Sequence, residues 1–135
     1  MSPSVTALVG FAAWQLLLTL ALGFFRTGLV FGGHKAANDF ATDGSDVSPF
    51  GRRLTRARDN CYENLPMFAA LVVGANLAGR ASVTDPLAMW FLGARIGQSV
   101  THLASTSVPA VQFRFGFYLA QMAIMVCWAY RLLAH

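Results

Sequence analysis

The chain has 135 residues, of which 56% are hydrophobic and only 12% are charged, with a mean hydropathy of +0.51. Soluble domains carry about 25% charged residues, so this composition excludes an ordinary soluble domain, a disordered chain and a disulfide-stapled scaffold. The net charge of +4 does not indicate nucleic acid either. Six of the ten basic residues fall between Arg26 and Arg58 and the others stand alone, so no basic stripe interleaved with aromatics follows a phosphate backbone. At roughly 20 apolar residues per crossing, about 76 apolar residues supply three or four membrane spans and leave no separate soluble domain.

The first span covers residues 5–31 and ends at Gly32-Gly33. No charge precedes Arg26, whereas a secretory signal carries positive charge ahead of a shorter apolar core; the segment reads as a retained helix. Residues 32–53, with Asp39, Asp43, Gly44, Ser45, Asp46, Ser48 and Pro49, lack apolar periodicity and read as a loop. Its Asp43-Gly44-Ser45-Asp46 run has too few ligands for a calcium loop. The second span covers 57–79 and closes at Gly79-Arg80. After a short turn, Pro86 opens the third span, 86–105. Ser107-Val108-Pro109 breaks the pattern, and the fourth span covers 112–133. The expected architecture is all-α, an integral membrane four-helix bundle forming one domain over 1–135. Lysine and arginine concentrate in the first connection, which predicts a cytoplasmic first loop with both termini on the opposite side; in a bacterium this is the inner membrane. Cys61 and Cys127 lie in apolar segments and read as packing residues, and His34, His102 and His135 have no metal-ligand spacing, so no metal is expected.

Polar residues inside the spans carry the functional signal. Arg56, Asn60 and Glu63 stand at i, i+4 and i+7, on one helix face. Arg95, Gln98 and His102 stand at i, i+3 and i+7 on the third helix, with Ser99 and Ser105 close to that stripe. Such seams face other helices or a wet cavity rather than lipid. Together with Arg114 they predict a mostly basic crevice opening to the cytoplasm, and Arg56, Arg95 and Arg114 suit a small ligand with several carboxylates. Structural readings stand beside this one: Arg56 and Arg58 as interfacial anchors, Glu63 and Arg95 as a register-fixing ion pair, and His102 as a packed histidine. Gly93 and Gly97 have the small-xxx-small spacing that permits close helix contact.

The run Arg56-Ala57-Arg58-Asp59-Asn60-Cys61-Tyr62-Glu63-Asn64-Leu65-Pro66 resembles the signature of the MAPEG family, the membrane-associated proteins of eicosanoid and glutathione metabolism. That signature is an arginine, an asparagine four residues on, a glutamate three further and a nearby proline. The length, four spans, polar first loop and third-helix Arg95 resemble the family along essentially the whole chain. The resemblance implies a homotrimer holding glutathione, as co-substrate, between subunits near the cytoplasmic face. It implies glutathione contacts from Arg56, Asn60, Glu63, Arg95, Gln98 and His102, with Glu63 set for the amino group or a gripping arginine. Two positions depart from the family pattern. His102 stands where glutathione-using members commonly have tyrosine. Val111 stands where an arginine usually follows the helix-breaking proline, and Arg114 comes one turn later. Either Arg114 is the catalytic, thiolate-stabilising residue from a shifted helix start, or glutathione is bound without strong activation.

The resemblance thus implies a glutathione transferase or peroxidase acting on lipophilic electrophiles or lipid hydroperoxides that arrive through membrane lipids, with no nucleic-acid partner. The competing expectation is a non-catalytic lipid- or glutathione-binding member of the same family. A small polar-solute carrier accounts for the intramembrane charge, but the chain has no internal repeat.

Overall fold

Four of the five prolines stand at the first or second position of a helix, where a missing N–H costs nothing and the fixed φ suits a helix start. The computed structural model describes residues 2–33, 49–104 and 107–134. It contains α1 (Pro3–Phe31), α2 (Pro49–Leu77), a 3-10 turn (Ala81–Val83), α3 (Asp85–Ala104) and α4 (Val108–Ala134). Two starts differ from expectation. Helix α2 begins at Pro49, inside the segment read as the loop 32–53, and α4 begins at Val108 rather than at 112. In both places the proline opens a helix instead of closing one. The remainder of the expected loop, with Asp39, Asp43 and Asp46, lies outside the described residues, as do His34, Ser105 and His135.

Contacts at the helix ends fix an up-down-up-down order. The Ser4 backbone N–H, unpaired within α1, donates to Asp85 Oδ1 at 3.1 Å, and the Ser4 hydroxyl bonds to Asp85 and Thr84. The N-termini of α1 and α3 are therefore level. Helix α2 ends on Gly79 with φ +70°, a left-handed cap that lets Arg80 N–H reach the Ala75 carbonyl at 2.8 Å. The Arg80 guanidinium then donates to the carbonyls of Leu132 and Arg131, both at 2.9 Å, closing the last turn of α4. At the opposite end Arg53 Nε donates to the Leu103 carbonyl at 2.9 Å, tying the first turns of α2 to the last of α3. Removing the Arg80 guanidinium leaves two terminal carbonyls without protein donors. Arg80→Ala is expected to cost about 1 kcal/mol, seen as faster hydrogen exchange confined to the last turns of α4.

One aromatic ring from each helix meets in the core: Phe11, Phe68, Phe91 and Trp128, each at most 1% exposed. Phe68 and Phe91 stack at 4.3 Å between centroids, with Phe11 and Trp128 within 6.1 Å of Phe91. Only 22% and 17% of the most apolar stretches of α1 and α4 are buried in the subunit. Leu16, Leu17, Phe24, Val126 and Leu133 face outward. An apolar helix with an exposed apolar face suits lipid, not water. Among the described residues, α1 and α4 are the two helices long and apolar enough to cross a membrane; α2 and α3 carry the polar seams. Within the chain the two glycines of the Gly93–Gly97 spacing differ. Gly93 has no neighbour within 4 Å of an added Cβ, while a Cβ on Gly97 would meet the Phe117 ring at 3.0 Å.

Candidate functional site

The polar face of α2 is the one its neighbours leave open. Arg52, Arg56, Glu63, Met67 and Ala70 are exposed along it at helical spacing, and Pro66 removes the donor to the Tyr62 carbonyl one turn beyond Glu63. At the end where α2 begins, α3 ends and α4 begins, this face borders an open crevice of about 260 Å³. Its lining is Arg56, Asp59, Asn60, Glu63, His102 and Arg114. Five of these six are residues the sequence singles out, drawn from three helices. Asp59 is the one missed. It stands at i+3 from Arg56, so the same periodicity could have found it. Its carboxylate pairs with Arg58 Nη2 at 2.7 Å.

The third-helix seam divides among three partners. Arg95 is fully buried and does not line the crevice; its Nη2 donates to Asn60 Oδ1. Because a guanidinium only donates, the Asn60 oxygen is turned toward Arg95. Among the described residues the Asn60 NH2 group has no protein partner. Gln98 is also buried, not at the crevice, and accepts from Gln121 Nε2 of α4 at 2.7 Å. Arg95 and Gln98 therefore stand behind the crevice rather than in it. Their place follows from the bundle, because the half-buried Asn60 of α2 and the buried Gln121 of α4 offer them amide partners. His102 does reach the crevice, and its Nδ1 meets Arg114 Nη1 at 2.8 Å.

The Glu63–Arg95 ion pair of the structural reading does not form. Arg95 is taken by Asn60, and Glu63 is exposed with no basic group within 4.0 Å among the described residues. Arg56 too is exposed and lines the crevice. Cys61 is fully buried, its sulfur 3.1 Å from Ser99 Oγ, as a packing residue would be, while Cys127 is exposed. Among the described residues no three of histidine, cysteine, aspartate and glutamate converge as a metal site would require.

The crevice thus brings Arg56 and Arg114 together with Glu63, Asp59, Asn60 and His102. With Asp59 held by Arg58, two guanidiniums and one free carboxylate suit a small zwitterion with more anionic than cationic groups, since guanidinium grips carboxylate and a free carboxylate takes an ammonium. Two wider apolar grooves lie along α4. One of about 460 Å³ is lined by Pro109, Gln112, Phe113, Gly116 and Phe117, on the turns that flank Arg114. The other, about 380 Å³, lies between residues 67–71 of α2 and 122–129 of α4.

No curated protein and no solved structure among those compared matches the chain. The profile of the MAPEG family matches residues 4–134, nearly the whole length and every element bordering the crevice. The chain belongs to the MAPEG family, a family of membrane proteins.

Proposed function

We propose that the protein is a glutathione-dependent membrane transferase or peroxidase acting on lipophilic electrophiles. The observation that carries this reading is the convergence of Arg56, Asn60, Glu63, His102 and Arg114 on one crevice. Glutathione presents two carboxylates, one ammonium and a thiol. Arg56 and the Asn60 amide suit a carboxylate, Glu63 suits the ammonium, and Arg114 suits the sulfur as a thiolate. A cation beside a thiol lowers its pKa, and the thiolate is the nucleophile. In conjugation the thiolate forms a carbon–sulfur bond and the electrophile's leaving group departs with the electron pair. The groove at Phe113 and Phe117 would hold the lipophilic reactant next to that sulfur.

The assembly in this proposal is a homotrimer. Small-molecule sites usually enclose about 300–1,000 Å³, and a single-subunit crevice of about 260 Å³ falls just short. Arg56 and Glu63 are exposed on a helix of a membrane protein, where charge faces protein or water rather than lipid. A neighbouring subunit over this face supplies the missing wall. The proposed orientation keeps the basic start of α2, and hence the crevice, on the cytoplasmic side with both termini opposite.

The test uses the purified chain in detergent, with glutathione and a chlorodinitroarene as substrates and calorimetry for binding. Turnover supports the enzyme. Glutathione binding without turnover supports the non-catalytic alternative, which the two apolar grooves, each wider than the polar crevice, also favour. Absence of binding overturns the glutathione assignment. Glu63→Gln should weaken glutathione binding roughly 10-fold or more, since a hydrogen bond to a charged group contributes about 1.5–3 kcal/mol. The exposed position of Glu63 means that its loss leaves no buried charge behind.

A further inference from the structure

Arg114 sits in the second turn of α4, and its guanidinium reaches across to α3. Among the described residues its Nη1 has one partner, His102 Nδ1 at 2.8 Å, and its buried Nε has none. A guanidinium has no lone pair to offer, so Nδ1 is the acceptor and the imidazole carries its proton on Nε2. We infer that His102 is a positioning residue, a neutral acceptor that holds the Arg114 guanidinium in the crevice with its full positive charge available to a bound anion. The role assigned to Arg114 rests on the glutathione reading; the hold itself does not.

Three features support this assignment. A long arginine side chain near the end of a membrane helix otherwise extends to the water interface, away from Asn60 and Glu63. His102 is 8% exposed at the base of the crevice, so its ring is itself fixed by packing. The acceptor is also uncharged. Arg56, Asp59 and Glu63 of α2, Arg95 of α3 and Arg114 of α4 surround this corner. A third carboxylate at position 102 would hold Arg114 equally well but cancel its charge. Histidine at 102 and the late arginine at 114 are thus two halves of one device.

The experiment compares His102→Phe, His102→Asn and His102→Asp with the wild type in the full chain in detergent. One readout needs no glutathione: the rate at which phenylglyoxal labels Arg114, followed by peptide mass. The others are kcat and KM for glutathione with a chlorodinitroarene, and the ultraviolet thiolate band of bound glutathione. Phenylalanine, with no acceptor, should raise labelling several-fold and lower kcat and the thiolate band more than it changes KM. Asparagine places an oxygen near the Nδ1 position and should restore slow labelling and most of the band. Aspartate should restore slow labelling but not the band. Equal labelling and equal turnover in His102→Phe and wild type overturn the inference. So does an asparagine variant as impaired as phenylalanine in both readouts, which would make the ring itself the ligand contact. Labelling that depends on residue 102 in a protein that neither binds nor turns over glutathione upholds the hold and overturns only the glutathione reading.

Discussion

Phe91→Ala is expected to destabilise the subunit by about 3 kcal/mol, the lower end of the range for buried phenylalanine truncations. Phe91 is fully buried and touches a ring from every other helix: Phe68 at 4.3 Å and both Phe11 and Trp128 at 6.1 Å. In water the cost of such a truncation combines lost transfer free energy with the cavity left behind. In a bilayer the transfer part is small, because lipid tails are as apolar as the core. What remains is lost packing and the loss of aromatic pairs worth about 0.5–1.5 kcal/mol each. Phe91→Leu keeps most of the volume, so it should cost less than alanine while still losing the ring pairs. The measurement is unfolding in mixed micelles at fixed protein concentration, since any subunit association shifts the apparent stability. Equal loss for alanine and leucine would show that ring pairing, not filled volume, is what Phe91 contributes.

The aromatic cluster also shows where sequence reading stops. The four helices are legible because long apolar runs alternate with glycine, proline and charge. Their starts are less so, since proline both ends and begins helices. In the sequence Pro86 reads as an opening, Pro49 as part of a loop and Pro109 as a break, although all three open helices. That difference moves Arg114 from the edge of α4 into its second turn, where it faces His102. Periodicity placed Arg56, Asn60 and Glu63 on one face, and they do share the crevice. The Arg95–Gln98–His102 seam was a correct face with unreadable destinations. Spacing along α3 cannot say that Asn60 takes Arg95, that Gln121 takes Gln98, or that Arg114 takes His102. Those choices are made by side chains on other helices, at depths only the packed bundle defines.

Arg114→Ala is expected to reduce the bound thiolate fraction at neutral pH about 25-fold while leaving the fold intact. A thiol with a pKa near 8.5 is only about 3% ionised at pH 7. A neighbouring cation lowers such a pKa by about 1–3 units, and a shift of two units brings the thiolate to roughly three-quarters. Turnover should fall by less than the thiolate band. Each thiolate becomes a weaker nucleophile as its pKa falls, by roughly eightfold over two units at a Brønsted coefficient near 0.45. The net loss of turnover at pH 7 is therefore about 3-fold from ionisation alone, and larger only if Arg114 also orients the sulfur. The sign of the pH dependence follows. In the variant the thiolate is the majority form only above about pH 8.5, so its deficit shrinks as pH rises and vanishes or reverses above that value. Arg131→Ala, at the opposite end of α4 with its side chain exposed, removes the same formal charge and should leave both band and turnover unchanged. A deficit in Arg114→Ala that persists undiminished at high pH would assign this arginine to orientation of the ligand rather than to ionisation of its thiol. No change at any pH would remove it from the site.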